Sequence, residues 1–190
     1  MLAPQLISAE QFLDERFDLP DGGRWTELLL GRLVMLSAPE EAHATAVFNL
    51  GKALGAFLQR EPTGSVCFDL GFIVHRDPDT VRFPAISFFQ TMDRFAQCDD
   101  IATEQRPFLV VELASSNDRR RGMSERVKAW LNWGVKIVWV LDPLAAEAHQ
   151  FRTDSAEQNL KADQKLSGWG PLAGFQISAD DLFRLPDWPR

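Results

Sequence analysis

The feature that most constrains the fold is a continuous apolar run, PFLVVELA, at positions 107–114. A short run without two-residue alternation is typical of a β-strand that is buried on both faces. Capping residues at 115–118 open a helix that Gly134 ends, and a second apolar run follows at 135–141. Strand, helix and strand in this order predict a parallel pair of strands joined by a right-handed crossover.

The rest of the chain predicts further short strands and helices around this unit. The expected elements are, in order, a short helix capped by Ser8, a hairpin hinged at Gly31, a long helix after Pro39, strands at 66–69, 72–75 and 81–89, then, after the unit, strands at 149–152 and 160–166 and a helix capped at 178–181. No stretch resembles a linker. We therefore predict one α/β domain over residues 1–190, a mixed sheet with helices on its faces.

The charge balance argues against a protein that gathers nucleic acid over its whole surface. Twenty-seven acids face 20 lysines and arginines, a net charge of −7. Binding to DNA would therefore require a local basic patch. The candidate cluster lies at the start of the predicted helix and consists of Arg119, Arg120, Arg121, Arg126 and Lys128. The alternative interpretation is an ordinary solvated helix start.

Targeting and redox features are few. No segment approaches the roughly 18 uninterrupted apolar residues of a membrane helix, and no basic residue precedes the short apolar stretch at the N-terminus. The two cysteines, Cys67 and Cys98, are too few for a disulfide framework or a CxxC metal site, and we expect them to be unbonded thiols. These features predict a cytoplasmic protein without a membrane anchor.

Glu112 is the residue that most suggests chemistry, because it lies inside the apolar run. An isolated buried carboxylate is unfavourable, so such a residue is usually paired with a cation or binds a metal. One interpretation is an ion pair with an arginine just downstream. The other is a metal site.

Five segments, taken together, resemble the Uma family of bacterial proteins. They are 25–33 (WTELLLGRL), His43, 81–88 (VRFPAISF), 110–115 (VVELAS) and 135–143. That family is described as restriction endonucleases of the PD-(D/E)XK superfamily, and the similarity runs in order from about Ser8 to Phe183. The resemblance implies a restriction-endonuclease-like mixed β-sheet with flanking helices.

The resemblance also implies a catalytic site. The family pattern has a glutamate in the first hairpin, at Glu27, and a histidine near the start of the long helix, at His43. It has a Pro-Asp pair at positions 84–85, a glutamate at Glu112 and a lysine at the position of Arg126. In such enzymes the carboxylates hold Mg²⁺ or Mn²⁺, which activates water and neutralises charge on the phosphate.

This sequence departs from the pattern twice. Ala85 replaces the metal-binding aspartate, so the site loses one ligand of the metal ion. Arg126 replaces the lysine, and an arginine stays protonated, so it cannot act as a base. Pro78-Asp79 belongs to the turn before the strand and does not replace the pair at 84–85. Asp69, on a neighbouring strand, is a candidate to reach the site from another direction.

Two functional classes follow from these departures. The chain is either a metal-dependent DNA nuclease with a relocated ligand, or a catalytically impaired relative that binds nucleic acid or protein on the same fold. We favour the impaired relative, because losing Asp at position 85 removes both charge and geometry. The sequence leaves open whether the protein forms a homodimer.

Overall fold

The computed structural model describes residues 6–90 and 100–185. The helices are α1 (Ala9–Glu15), α2 (His43–Arg60), α3 (Asn117–Trp133) and α4 (Ala179–Phe183). The strands are β1 (Thr26–Leu29), β2 (Arg32–Met35), β3 (Ser65–Phe68), β4 (Gly71–His75), β5 (Thr80–Arg82), β6 (Ile86–Phe89), β7 (Ala102–Thr103), β8 (Leu109–Leu113), β9 (Ile137–Asp142), β10 (Glu147–Arg152), β11 (Ser155–Lys161), β12 (Lys165–Ser167) and β13 (Gln176–Ser178).

The central sheet is built around the predicted strand-helix-strand unit. Strands β8 and β9 pair in parallel, from Leu109 opposite Ile137 to Leu113 opposite Leu141, and α3 connects them. This confirms the parallel pair. The six-stranded sheet has the order β11-β10-β9-β8-β6-β3, and a five-stranded sheet has the order β2-β1-β5-β4-β7. Strands β12 and β13 form a small third sheet.

Each face of the six-stranded sheet is covered by helix. On one face, Leu50, Leu54 and Phe57 of α2 pack against alternate residues of β6, β8 and β9. On the other face, Val127 and Trp130 of α3 pack against the intervening residues of β8 and β9. Burying a side chain of this size contributes about 1.5–3 kcal/mol. The two helices therefore hold β8, which carries Glu112, between two apolar layers.

Two predicted strands were wrong, because each is divided in the structure. Residues 81–89 form two strands, β5 and β6, which belong to different sheets. Pro84 has no backbone N–H to donate to a ladder, and the N–H of Phe83 donates to the carboxylate of Glu27 at 3.0 Å instead of to a strand. The strand expected at 160–166 is also divided, since Ala162 has a φ of 52° in the turn between β11 and β12.

Two further predictions concern the cysteines and membrane-spanning helices. Cys67 is disulfide-bonded, so the prediction of an unbonded thiol is wrong for this residue, because separation along the chain carries no information on distance in space. Cys98 lies outside the described residues. Within residues 6–90 and 100–185, no helix has the length and apolarity needed to cross a membrane.

Candidate functional site

A cavity of about 320 Å³ opens where the five-stranded sheet meets the end of β8 and helix α3. The family-pattern residues lie on five separate elements around it. Its lining includes Glu27 on β1, His43 at the start of α2, Ala85 before β6, Glu112 on β8 and Arg126 on α3. The structure thus brings these positions together around one cavity, and their catalytic roles stay predictions.

The ladder between β6 and β8 explains why positions 85 and 112 meet. Ile86 lies opposite Val111 in an antiparallel register, and the N–H of Ala85 donates to the carbonyl of Val111 at 3.1 Å. Ala85 and Glu112 are the next residues of the two strands, and both line the cavity. The family's carboxylate pair would therefore meet here, but this chain has a methyl group at one position.

The guanidinium of Arg126 lies between the two remaining carboxylates. Its Nη1 and Nη2 donate to Oε2 and Oε1 of Glu27 at 2.6 and 2.5 Å, a two-point contact. Its Nε lies 2.6 Å from Oε1 of Glu112. All three side chains are at most 10% exposed. A planar guanidinium matches the geometry of carboxylates in this way, which a lysine ammonium cannot do.

Other groups complete the hydrogen bonding of each carboxylate. The indole N–H of Trp130 donates to Oε1 of Glu112 at 2.6 Å. Glu27 also accepts from the N–H of Phe83, and Nη1 of Arg82 lies 3.8 Å from its Oε2. The network thus sets two acids, Glu27 and Glu112, against two arginines.

The pKa shifts of Glu27 and Arg126 favour the charged forms of these two groups. Burial raises the pKa of Glu27, but the charge and hydrogen bonds of Arg126 and the charge of Arg82 outweigh it, so that pKa lies below its ordinary value. Burial lowers the pKa of Arg126, and the charges of Glu112 and Glu27 raise it above the ordinary value. Arg126 therefore cannot act as a base at any physiological pH.

His43 is held beside Trp25 on the cavity wall. Its Nδ1 lies 2.7 Å from the hydroxyl oxygen of Ser115, and the two rings meet edge to face at 6.0 Å. Burial, followed by the charges of Arg119 and Arg24, lowers the pKa of His43 to about 4. The imidazole is therefore neutral at pH 7. Ser115 is wholly buried, so this pair orients the histidine and does not form a nucleophile and base.

Asp69 lies in the turn between β3 and β4 and lines the same cavity. Its backbone has a φ of 51°, and its N–H donates to the carbonyl of Ala85 at 3.3 Å. Burial raises the pKa of Asp69, and the charges of Arg24 and Arg16 offset part of that effect. Asp69 is therefore close to position 85, as the sequence suggested.

Three arginines at the cavity have no carboxylate partner within 4 Å among the described residues: Arg16, Arg24 and Arg119. Arg24 and Arg119 lie 4.9 and 5.4 Å from the ring centroid of Trp25, and Arg16 lies 3.7 Å from that of Phe83. Contact with an aromatic face holds a guanidinium and leaves its remaining N–H groups available. Nη1 of Arg119 also donates to the carbonyl of Ser37 and to the hydroxyl of Ser116.

Sequence reasoning missed Arg16 and Arg24. The available signal is the Asp21-Gly22-Gly23 sequence between these two arginines, which is typical of a turn. Gly23 has a φ of +65°, and a Cβ there would lie 2.3 Å from the carbonyl oxygen of Arg16. The side-chain Nε of Arg16 also donates to the carbonyl of Gly23 at 3.1 Å. The glycine thus fixes a close approach that brings both arginines to the cavity.

The basic cluster predicted to contact DNA does not share one surface. Arg126 is buried, Arg120 binds Glu40 and Asp142, and Lys128 pairs with Glu125 at 2.9 Å. Arg121 is exposed. Arg119 and Arg126 line the cavity, and Arg126 is held there by Glu27 and Glu112. Contact with DNA through these five residues stays a prediction.

The family's divalent cation does not fit the donor set of this site. Position 85 supplies no oxygen, and the guanidinium of Arg126 occupies the space between the carboxylates of Glu27 and Glu112. Mg²⁺ requires near-octahedral oxygen ligands, and a positive guanidinium in contact with those oxygens opposes a second cation. In the part of the chain that the structure describes, no group of three His, Cys, Asp or Glu residues is arranged to hold a metal ion.

Comparison with known proteins gives one family and one fold. A family model named Uma2, with the description "Putative restriction endonuclease", matches residues 10–180. A crystal structure described as a putative nuclease belonging to DUF820, from Anabaena variabilis, is similar with a TM-score of 0.73 and 17% identity, over 90% of this chain and 96% of that chain. At that identity the likeness shows the fold alone. No curated protein matches the chain.

Proposed function

We propose, from the premise that the chain belongs to the Uma2 family, that it is a catalytically impaired member that binds nucleic-acid phosphates without hydrolysing them. The observation that carries the proposal is the position of Arg126. Its guanidinium contacts both Glu27 and Glu112 at 2.5–2.6 Å, in the place where the family pattern implies a metal ion and a lysine.

Loss of hydrolysis follows from the charges of the site. Phosphodiester cleavage by such enzymes depends on a divalent cation that activates water and neutralises the phosphate. With Ala85 and a bound Arg126, this site offers no free carboxylate pair for that cation. Arg126 cannot take over the role of base, because it stays protonated.

Retained binding is supported by the three arginines without carboxylate partners. Arg16, Arg24 and Arg119 bring positive charge to the cavity, whereas Arg126 is neutralised by two acids. Guanidinium groups bind phosphate oxygens through two parallel hydrogen bonds. Since phosphate contacts supply most of the affinity of nucleic-acid-binding proteins, a local patch suffices despite the net charge of −7.

A metal-dependent nuclease with a relocated ligand is the second candidate. Asp69 favours it, because this carboxylate lines the same cavity and its N–H contacts the carbonyl of Ala85. A cation held by Asp69 and Glu112 would require Arg126 to leave Glu112. Arg126 would then be a buried charge without one of its two carboxylate partners, which is unfavourable. We therefore rank this candidate second.

Two measurements on the same protein separate the candidates. Nicking of supercoiled plasmid is followed with Mg²⁺ and with Mn²⁺, and binding of a fluorescein-labelled DNA duplex is followed by anisotropy at several salt concentrations. We expect no nicking, and binding that weakens as salt rises. The variant Arg119→Ala should weaken binding about tenfold, whereas Arg184→Ala, which removes an exposed arginine paired with Asp181, should leave it unchanged.

Each result has a clear consequence. Metal-dependent nicking that both Asp69→Asn and Glu112→Gln abolish would establish the relocated-ligand nuclease. If the protein does not nick DNA, and if it does not bind DNA in a way that Arg119→Ala weakens, the proposed binding function is contradicted. A protein-interaction module on this fold would then remain.

A further inference from the structure

The hairpin of β1 and β2 exposes several large apolar side chains. Leu30, Leu33 and Met35 are 51, 45 and 67% exposed; Leu33 and Met35 share one face of the hairpin, and the exposed Leu29 lies on the other face. Leu6 is 48% exposed and lies against Gly31 in the hairpin turn. The apolar patch of Leu6, Leu30, Leu33 and Met35 is on the order of 400 Å², within the range of the largest patch of a typical monomer, which is often functional.

Strand β2 is also an open edge. In the order β2-β1-β5-β4-β7, it has a neighbour on one side only among the described residues. The N–H of Leu36 donates to the carbonyl of Trp25, toward β1. Because backbone groups alternate along a strand, Val34 also points its N–H and C=O toward β1, and Leu33 and Met35 point theirs to the free edge.

Natural sheets protect such edges with charge, proline or a covering segment. Strand β2 has the sequence Arg-Leu-Val-Met, with one charge and no proline. Because Leu33 and Met35 both carry exposed apolar side chains on one face, an antiparallel copy paired about Val34 places apolar beside apolar at both positions and brings no like charges together there. This self-complementarity, and not exposure alone, identifies the occupant of the edge.

We propose that a second copy of this chain pairs with β2, around a twofold axis at Val34. Leu33 of one protomer lies opposite Met35 of its partner, and the reverse, so four backbone hydrogen bonds join the two five-stranded sheets. An isologous contact of this kind closes on itself and yields a dimer, not a fibre.

The available surface sets the expected strength. A stable interface buries about 800 Å² per partner, so the apolar patch supplies about half of that area. The remainder comes from the residues that flank the hairpin. A dimer that dissociates in the micromolar range is therefore expected. The inference is independent of the proposed function, because the patch lies outside the cavity.

A pair of variants at one position tests the backbone pairing. Met35→Pro removes an N–H that faces the free edge and donates no hydrogen bond to β1. Met35→Ala shortens the side chain and keeps that N–H. By sedimentation velocity, the full-length parent should be a dimer, Met35→Pro should raise the dissociation constant at least tenfold, and Met35→Ala should raise it less. Circular dichroism and thermal melting check that the proline variant folds.

A cross-linking experiment tests the register without a disruptive change. In a non-hydrogen-bonded antiparallel pair the Cα atoms are about 4.5 Å apart, within the range of a disulfide. Val34→Cys should therefore form a covalent dimer under mild oxidation. Leu33→Cys is the matched control, because residues 33 of the two protomers lie out of register, beyond the roughly 7 Å limit.

The two experiments together decide the proposal. A covalent dimer from Val34→Cys and not from Leu33→Cys supports it. A parent protein that sediments as a monomer at 100 µM overturns it, and so does a dimer that Met35→Pro leaves intact, since that dimer would use another surface.

Discussion

Helix α3 carries two arginines that are each held by two carboxylates, but in different surroundings. Arg120 binds Glu40 at 2.5 Å and Asp142 at 3.1 Å, and its carboxylate partners are 37 and 17% exposed. Arg126 binds Glu27 and Glu112 at 2.5 and 2.6 Å, and these partners are 8 and 5% exposed. The side chains of the two networks thus differ in burial far more than in distance.

The comparison shows that burial changes how strongly the acids depend on the same contacts with arginine. Water solvates the acids of the Arg120 network, so removing the arginine leaves charges that solvent can stabilise. The Arg126 network has no such alternative, and each of its charges depends on the others. An ion pair at the surface joins a loop to α3, whereas the buried one determines whether the cavity can hold a metal ion.

The largest effect is expected from removing Arg126. Arg126→Ala leaves Glu27 and Glu112 buried without the guanidinium that contacts both of them, which should cost about 3–5 kcal/mol in the free energy of unfolding. Urea denaturation measures it. Arg126→Lys is the matched variant and should recover part of the loss, because lysine keeps the charge without the two-point contact. Unchanged stability of Arg126→Ala would show that the buried network contributes nothing.

The next effect concerns the missing aspartate. Ala85→Asp adds a third carboxylate across from Glu112, and like charges at short range should lower stability by about 1–3 kcal/mol. Mn²⁺ should reverse part of the loss by binding between the carboxylates, as followed by thermal melts with and without metal. Ala85→Asn has nearly the same shape without the charge and should not respond to Mn²⁺. A metal response from the asparagine variant would contradict this account.

The pH dependence should distinguish the two networks by their acids. Interactions with arginine lower the pKa of Glu27 and of Glu40 in the folded state. A lowered pKa means that the unfolded chain binds more protons, so the stabilisation is complete above the ordinary value of 4.5 and is lost as pH falls through the folded pKa. Glu27→Gln should flatten the stability profile below pH 4.5 more than Glu40→Gln, as measured by urea denaturation at several pH values. Equal slopes of stability against pH for the two variants would contradict the expected difference between the networks.

The smallest effect is expected from the exposed network. Arg120→Ala should cost about 0–1 kcal/mol, and the difference from the parent should shrink in 1 M salt, because screening weakens solvent-exposed pairs. The same salt series should leave the cost of Arg126→Ala nearly unchanged. If both variants respond to salt alike, burial does not separate the networks as proposed.

The sequence alone determined the elements whose signals are local. The apolar runs at 107–114 and 135–141 with a capped helix between them predicted the parallel pair of β8 and β9, because burial on both faces leaves no polar alternation. The order of the family motifs also indicated that Glu27, Ala85, Glu112 and Arg126 share one cavity. Local signals failed at 81–89, where the path after Pro84 depends on which sheet accepts each half.

The tertiary structure decided which charged groups surround Glu112 in the cavity. The sequence left Glu112 between an ion pair and a metal ligand, and only the fold places the guanidinium of Arg126 within 2.6 Å of both carboxylates. Arg16 and Arg24 likewise reach the cavity through a turn at Gly23 whose close approach no local pattern specifies. Local propensity acts over a few residues, whereas the energy of a buried charge depends on every group that the fold brings around it.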